Sequence, residues 1–197
     1  MRWSKIAVVY AVASILAVYL YVRSGQRSQA NLPDAEALAP LVQADPSSVD
    51  AVKIESADAT VFLERRDGRW RVTQVVDRNG RPEVPAKPGE GNAEAHRVSG
   101  DLVDALIETF ITVPPIEMVS EGGAPAQFGL DPPGVVVSMI VGSTPLPVIE
   151  IGNRSPTATA VYARRRGASH VYLVGLNARY YVELLWDEVL SKKKGTG

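Results

Sequence analysis

The order of elements repeats on either side of the stretch Phe128-Gly129-Leu130-Asp131-Pro132-Pro133, and that repeat restricts the fold more than any single motif does. Before it, Val52 and Ile54 alternate with Lys53 and Glu55, and a second run from Thr60 to Arg65 leads into Asp67-Gly68. A period of two marks a half-buried strand. Asp-Gly supplies the two positive-φ positions of a type I′ hairpin, so Arg66 is expected opposite Arg69, Glu64 opposite Arg71 and Leu63 opposite Val72. Trp70 and Val72 then share the buried face with Leu63, while Glu64 and Arg71 meet as opposite charges on the other face. Residues 77–91, with three prolines and three glycines, read as a surface loop. From Ser99 to Ile111 the period becomes helical. Leu102, Val103, Leu106, Ile107 and Phe110 share one face, and Ser99 or Asp101 can cap the start. Asp101, Asp104 and Glu108 line the opposite side, where carboxylates are ordinarily solvated.

After the Pro114-Pro115 break the same order returns. Val135 to Val141 is a continuous apolar run, Gly142-Ser143-Thr144-Pro145 a turn, and Leu146 to Ile151 its partner strand. Ala160 to Arg165 and His170 to Val174 form a further pair around Gly167-Ala168. Asn177 is placed to cap a last helix whose Tyr181, Leu184, Leu185 and Val189 face inward, and which ends at Lys192-Lys193-Lys194, where cations suit the helix dipole. Gly68 to Val72 and Ala168 to Val174 correspond as the last strands before the helices. The expected class is α+β: two similar antiparallel meander-plus-helix units, residues 49–127 and 128–191, each burying its sheet under a helix. In the joint between them Gly129 permits a tight turn, Leu130 plugs the seam, and Asp131-Pro132-Pro133 hold the chain extended into the next strand.

Ahead of these units, Ile6 to Val22 run about 17 residues without a charge, which as a helix is roughly 25 Å, close to a hydrocarbon core. Residues 1–23 are therefore expected to be a single-pass anchor, with Trp3, Ile6, Val9, Ile15, Leu16, Tyr19, Leu20 and Tyr21 in contact with the bilayer. The competing reading is a cleaved signal peptide, which the length of the apolar run and the positions of Arg23 and Arg27 disfavour. Arg2 and Lys5 on one side are nearly balanced by those two arginines on the other, and the orientation favoured has the body in the periplasm of a bacterial inner membrane. Residues 24–48 read as a spacer in which Leu38, Leu41 and Val42 form a small apolar patch expected to dock on its own domain. Residues 192–197 form a basic tail.

Composition narrows the chemistry. A net charge of -1 offers no electrostatic footprint for nucleic acid. The absence of cysteine removes disulfides and thiolate metal sites, and His96 and His170 have no partners at metal-ligand spacing. Neither the phosphate-loop nor the dinucleotide pattern occurs, and Ser138, Ser143 and Ser155 lack a nucleophile-elbow setting. No catalytic residue, cofactor, metal or small-molecule ligand is indicated. The sharpest charge cluster, Arg164-Arg165-Arg166, sits at a hairpin tip, where it is either solvated or a contact for a partner or for lipid headgroups. Exposed sheet edges offer strand addition.

The opening run Val49-Asp50-Ala51-Val52-Lys53-Ile54, the hairpin Leu63-Glu64-Arg65-Arg66-Asp67-Gly68-Arg69-Trp70, the joint Phe128 to Pro133 and Ile149-Glu150-Ile151-Gly152 together resemble a bacterial family, DUF4340, a domain of unknown function. They run from Val49 to Gly152, a little over half of the chain. Phe128 stands where a tyrosine is common, which leaves it a packing role, and the chain is short for the family. Members often carry an N-terminal membrane segment, and many are encoded beside ABC transporters of the gliding-motility type. The resemblance thus implies an extracytoplasmic accessory subunit that docks on an integral-membrane complex and contributes no catalytic residue. Alternatives are a subunit of another membrane assembly, such as an energy-transducing complex, or a periplasmic module for a small ligand or glycan.

Overall fold

In the first hairpin the expected register is found: Leu63 lies opposite Val72, Glu64 opposite Arg71 and Arg66 opposite Arg69, around Asp67 and Gly68 at φ 53° and 70°. The computed structural model describes residues 38–83, 98–122 and 124–194. The expected anchor residues Trp3, Ile6, Val9, Ile15, Leu16, Tyr19, Leu20 and Tyr21 lie outside the described residues, as do most of the spacer and His96. The elements in chain order are β1 (Ala51–Ser56), β2 (Ala59–Arg66), β3 (Arg69–Asp77), β4 (Pro82–Glu83), α1 (Gly100–Ile111), β5 (Glu117–Glu121), β6 (Val135–Val141), β7 (Thr144–Pro145), β8 (Ile149–Arg154), β9 (Ala160–Arg165), β10 (His170–Gly175) and α2 (Asn177–Lys194).

Among the described residues the fold is α+β, a mostly antiparallel sheet with two helices. Its strands form one continuous sheet in the order β4-β3-β2-β1-β6-β8-β9-β10-β5, with β7 hydrogen-bonded to β6. The two meanders join through the β1–β6 ladder, which runs from Ala51 opposite Ile140 to Ser56 opposite Val135. Counted outward from that seam, β3 is third and β10 fourth, so β10 occupies the place of β4 and not, as the sequence reading pairs them, of β3.

Several local expectations shift. The segment after Asp77 is not all loop, because β4 folds back onto β3. The strand expected from Leu146 starts at Ile149; Pro147 has no N–H to give a ladder. After α1, Pro115 ends the helical possibility and the Ile116 N–H donates to the Leu173 carbonyl, which starts β5 along β10 at the far edge of the sheet. The sequence reading places no strand there.

One face of the sheet carries the core. Val52, Ile54, Val61, Leu63, Trp70, Val137, Met139, Ile149, Ile151 and Val161 are buried against Val103, Leu106, Ile107 and Phe110 of α1 and Ala178, Val182 and Leu185 of α2. Each such aliphatic or aromatic side chain contributes about 1.5–3 kcal/mol on burial. The α1 stripe is the expected one. In α2 the stripe is rotated: Ala178, Val182 and Leu185 are fully buried, while Tyr181 and Val189 are partly buried at its margin. The sequence reading favours the larger aromatic Tyr181 and omits its neighbour Val182, which the sheet selects instead.

Contacts between the helices replace the expected caps. Ser99 makes no side-chain cap bond; its N–H donates to both Glu188 carboxylate oxygens, at 3.1 and 3.0 Å, so α2 supplies the anion that an α1 N-terminus favours. Asn177 is the first helical residue and its amide donates to Thr109 Oγ1 at 3.4 Å. With Ser99 beside Glu188 and Thr109 beside Asn177, the two helices run antiparallel. Leu41 and Val42 are buried, and the Val42 N–H donates to the Phe110 carbonyl at 2.9 Å. The spacer's apolar patch therefore docks on its own domain, and the described chain joins the fold at the C-terminal end of α1.

Candidate functional site

Three places gather polar or exposed apolar groups. The first is the reverse face of the sheet, over β6, β8 and β9. Alternation sends Ile149 and Ile151 to the core, so Glu150 points the other way, and its register neighbour on β9 is Arg164. Glu150 is buried. Arg164 Nε donates to it at 2.6 Å and Arg166 Nε at 2.8 Å, and Arg164 also donates to the Leu130 carbonyl at 3.2 Å.

That last bond holds down the joint. Gly129 adopts φ 68°, closing a 3-10 turn over Pro125–Phe128, and the Phe128 ring lies 4.9 Å from that of Tyr162. A Cβ on Gly152 would strike the Phe128 carbonyl oxygen and stand 3.0 Å from the Gly129 carbonyl, so the joint lies directly on the β8 backbone. Leu130 is completely buried, on the reverse face and outside the main core. Asp131, Pro132 and Pro133 form a turn, with a cis Asp131–Pro132 peptide and a Leu130–Pro133 bridge. The extended path expected for them is corrected accordingly.

The arginine cluster is thereby divided. Arg164 and Arg166 are spent on Glu150, with only Arg166 half-exposed. Arg165 is exposed and forms no ion pair among the described residues. The outward surface expected from three arginines is reduced because alternation on β9 turns Arg164 toward a buried carboxylate.

Burial raises the Glu150 pKa, but hydrogen bonds from Arg166 and Arg164, and their charge, outweigh it and leave the carboxyl below its ordinary value. A depressed native pKa gives stability that is present above the unfolded pKa and lost as pH falls through the native one. Chemical denaturation as a function of pH is expected to show this loss on the acid side. Glu150→Gln is expected to flatten it and to cost about 2 kcal/mol at neutral pH; an unchanged acid slope would show that the carboxylate does not hold the joint.

The second place is the hairpin under α1. Asp104 is expected from sequence on a solvated face. Its side chain is half-exposed and also accepts from Arg65 Nη2 at 2.6 Å and from Trp70 Nε1 at 2.9 Å, while the Arg65 guanidinium lies 4.7 Å from the Trp70 ring centroid and donates through Nη1 to the Ser47 carbonyl at 2.9 Å. Asp45, Pro46, Ser47, Arg65, Asp104 and Glu108 border a shallow open groove of about 310 Å³. Its polar centre ties spacer, hairpin and helix together. Glu64, expected to meet Arg71, forms its ion pair with Arg66 at 2.6 Å.

The third place is β5. Val113 and Ile116, just before the strand, are 47 and 63% exposed, and Met118 and Val119 within it 43 and 37%; the strand closes one end of the sheet.

Residues 100–193 match the family model of a domain of unknown function, DUF4340. Over that stretch the chain is similar to this family. The resemblance read from the sequence is borne out there, although the match takes in a little under half of the chain. The joint and Ile149-Glu150-Ile151-Gly152 fall inside the DUF4340 match; the opening run and first hairpin precede it. No curated protein and no solved structure matches the chain.

The DUF4340 stretch thus contains α1, β5, the joint, the Glu150 clamp and α2. Sequence reasoning includes Glu150 in the resemblance but assigns it no role. A carboxylate between two isoleucines, with arginines two apart on a following strand, is the signal that could have found it. For β5 the signal is weaker, since Glu117-Met118-Val119-Ser120-Glu121 alternates without a clear apolar face.

Proposed function

We propose that the protein is a non-catalytic accessory subunit, anchored by the single apolar run Ile6–Val22, whose α+β domain lies outside the cytoplasm and docks on a larger membrane protein complex. By family analogy that complex is an assembly of the ABC-transporter type. The observation that carries this reading is the edge strand β5 with exposed apolar side chains in and just before it, since an unpaired strand edge is a template for pairing with another chain. The use of polar groups supports it: Asp104, Glu150 and Glu188 each bind other parts of the fold.

No helix among the described residues is long and apolar enough to cross a membrane; Ile6–Val22 lies outside them. Purification of the tagged full-length chain from gently solubilised membranes is expected to bring down an integral-membrane protein in stoichiometric amount. A chain recovered alone would overturn the proposal. In intact spheroplasts, protease is expected to reach the Asp67-Gly68 hairpin, and protection there would place the domain in the cytoplasm.

A further inference from the structure

The accessory-subunit reading leaves open which surface docks and what it recognises. Of the two ends of the sheet, β4 is two residues long and begins with Pro82, a usual protection against edge pairing. At the other end, β5 has neither lysine nor proline within it, and its flank exposes Val113, Ile116, Met118 and Val119. The ladder to β10 has one register shift, and no strand lies beyond β5 among the described residues.

Charge restricts the occupant. The charged residues of β5 are Glu117 and Glu121, and between Arg97 and Arg154 the sequence contains no lysine or arginine. Glu108 and Glu117 are exposed, and the C-terminal end of α1 adds the negative pole of its dipole beside Val113. An anionic bilayer surface is repelled by such an edge. A second copy is disfavoured as well: antiparallel self-pairing centred on Val119 sets Glu117 against Glu121, and like charges directly opposite destabilise a ladder.

We infer that the outer edge of β5 is the docking strand, and that it accepts an extended segment of a partner protein in which apolar residues alternate with lysine or arginine. This rests on the accessory-subunit reading. Main-chain hydrogen bonds supply affinity in this mode, and the alternating side chains supply specificity.

The test uses the full-length protein in zwitterionic nanodiscs and a nine-residue peptide alternating valine and lysine, with its valine/glutamate counterpart. Binding of the valine/lysine peptide, slower amide exchange over residues 113–122 and weakening with added salt are expected. Glu117→Lys is expected to weaken that peptide about threefold to fivefold and to favour the glutamate peptide, without moving the melting temperature.

Equal binding of both peptides, or protection elsewhere, would overturn the inference. So would slowed exchange at β5 with phosphatidylglycerol vesicles alone, which would make the edge a lipid surface, or at rising protein concentration alone, which would make it a self-interface. Co-purification separates the two levels. A membrane partner retained by Met118→Asp overturns the β5 edge and leaves the accessory role standing, whereas no partner with the wild-type chain overturns the role itself.

Discussion

Leu130→Asp is expected to destabilise the folded domain by at least about 4 kcal/mol, the sum of a lost buried side chain and a carboxylate brought out of water. Leu130 is completely buried in a space closed on one side by β8. Truncation to alanine alone is expected to cost about 2–4 kcal/mol. Arg164, the cation bonded to the Leu130 carbonyl, is already divided between that oxygen and Glu150. Pairing with the introduced carboxylate would strip Glu150, so the charge is not accommodated without loss elsewhere. Leu130→Met keeps the volume and is expected to cost less than about 1.5 kcal/mol. Denaturant midpoints of the three variants provide the measurement, and a Leu130→Asp protein as stable as wild type would refute the joint's place in the fold.

The joint also illustrates what a sequence can and cannot convey. Its Gly129 turn and the burial of Leu130 follow from local chemistry, and so does the first hairpin, because Asp-Gly specifies both turn type and register. The α1 stripe is equally legible, since five apolar residues at helical spacing admit one buried face. What is not legible depends on partners distant in sequence. Leu130 reads as a plug between two units, but it lies on the reverse face because β1 pairs with β6 and makes the units one sheet. Asp104 reads as solvated, and only the fold sets it beside Trp70 and Arg65. The arginine run reads as a surface feature until β8 places a buried carboxylate opposite it. β5 escapes notice for the same kind of reason: a five-residue strand of mixed polarity gains its identity from β10, not from its own period.

Gly152→Ala tests the reverse face independently, by steric means and with no change of charge. Replacing glycine by alanine at a relaxed position stabilises by about 0.4–1 kcal/mol, through the unfolded chain. At Gly152 the added methyl would collide with the Phe128 carbonyl oxygen and approach the Gly129 carbonyl to 3.0 Å. Both obstacles are backbone, so no side-chain rotation relieves them, and either the joint lifts or β8 bends. A net loss of about 2–4 kcal/mol is expected, at the upper range for overpacking. Gly134→Ala is the internal comparison, because its Cβ would stand 3.6 Å from the Ile151 carbonyl, an ordinary contact; it is expected to be neutral or slightly stabilising. If the collision is relieved by lifting the joint, the Leu130 amide, which donates to the Pro125 carbonyl at 3.0 Å, exchanges faster in Gly152→Ala than in wild type while β1 and β2 amides keep their relative protection. Equal stability of Gly152→Ala and Gly134→Ala would mean that the joint does not rest on β8. The burial of Leu130 and the clamp at Glu150 would then need a different explanation.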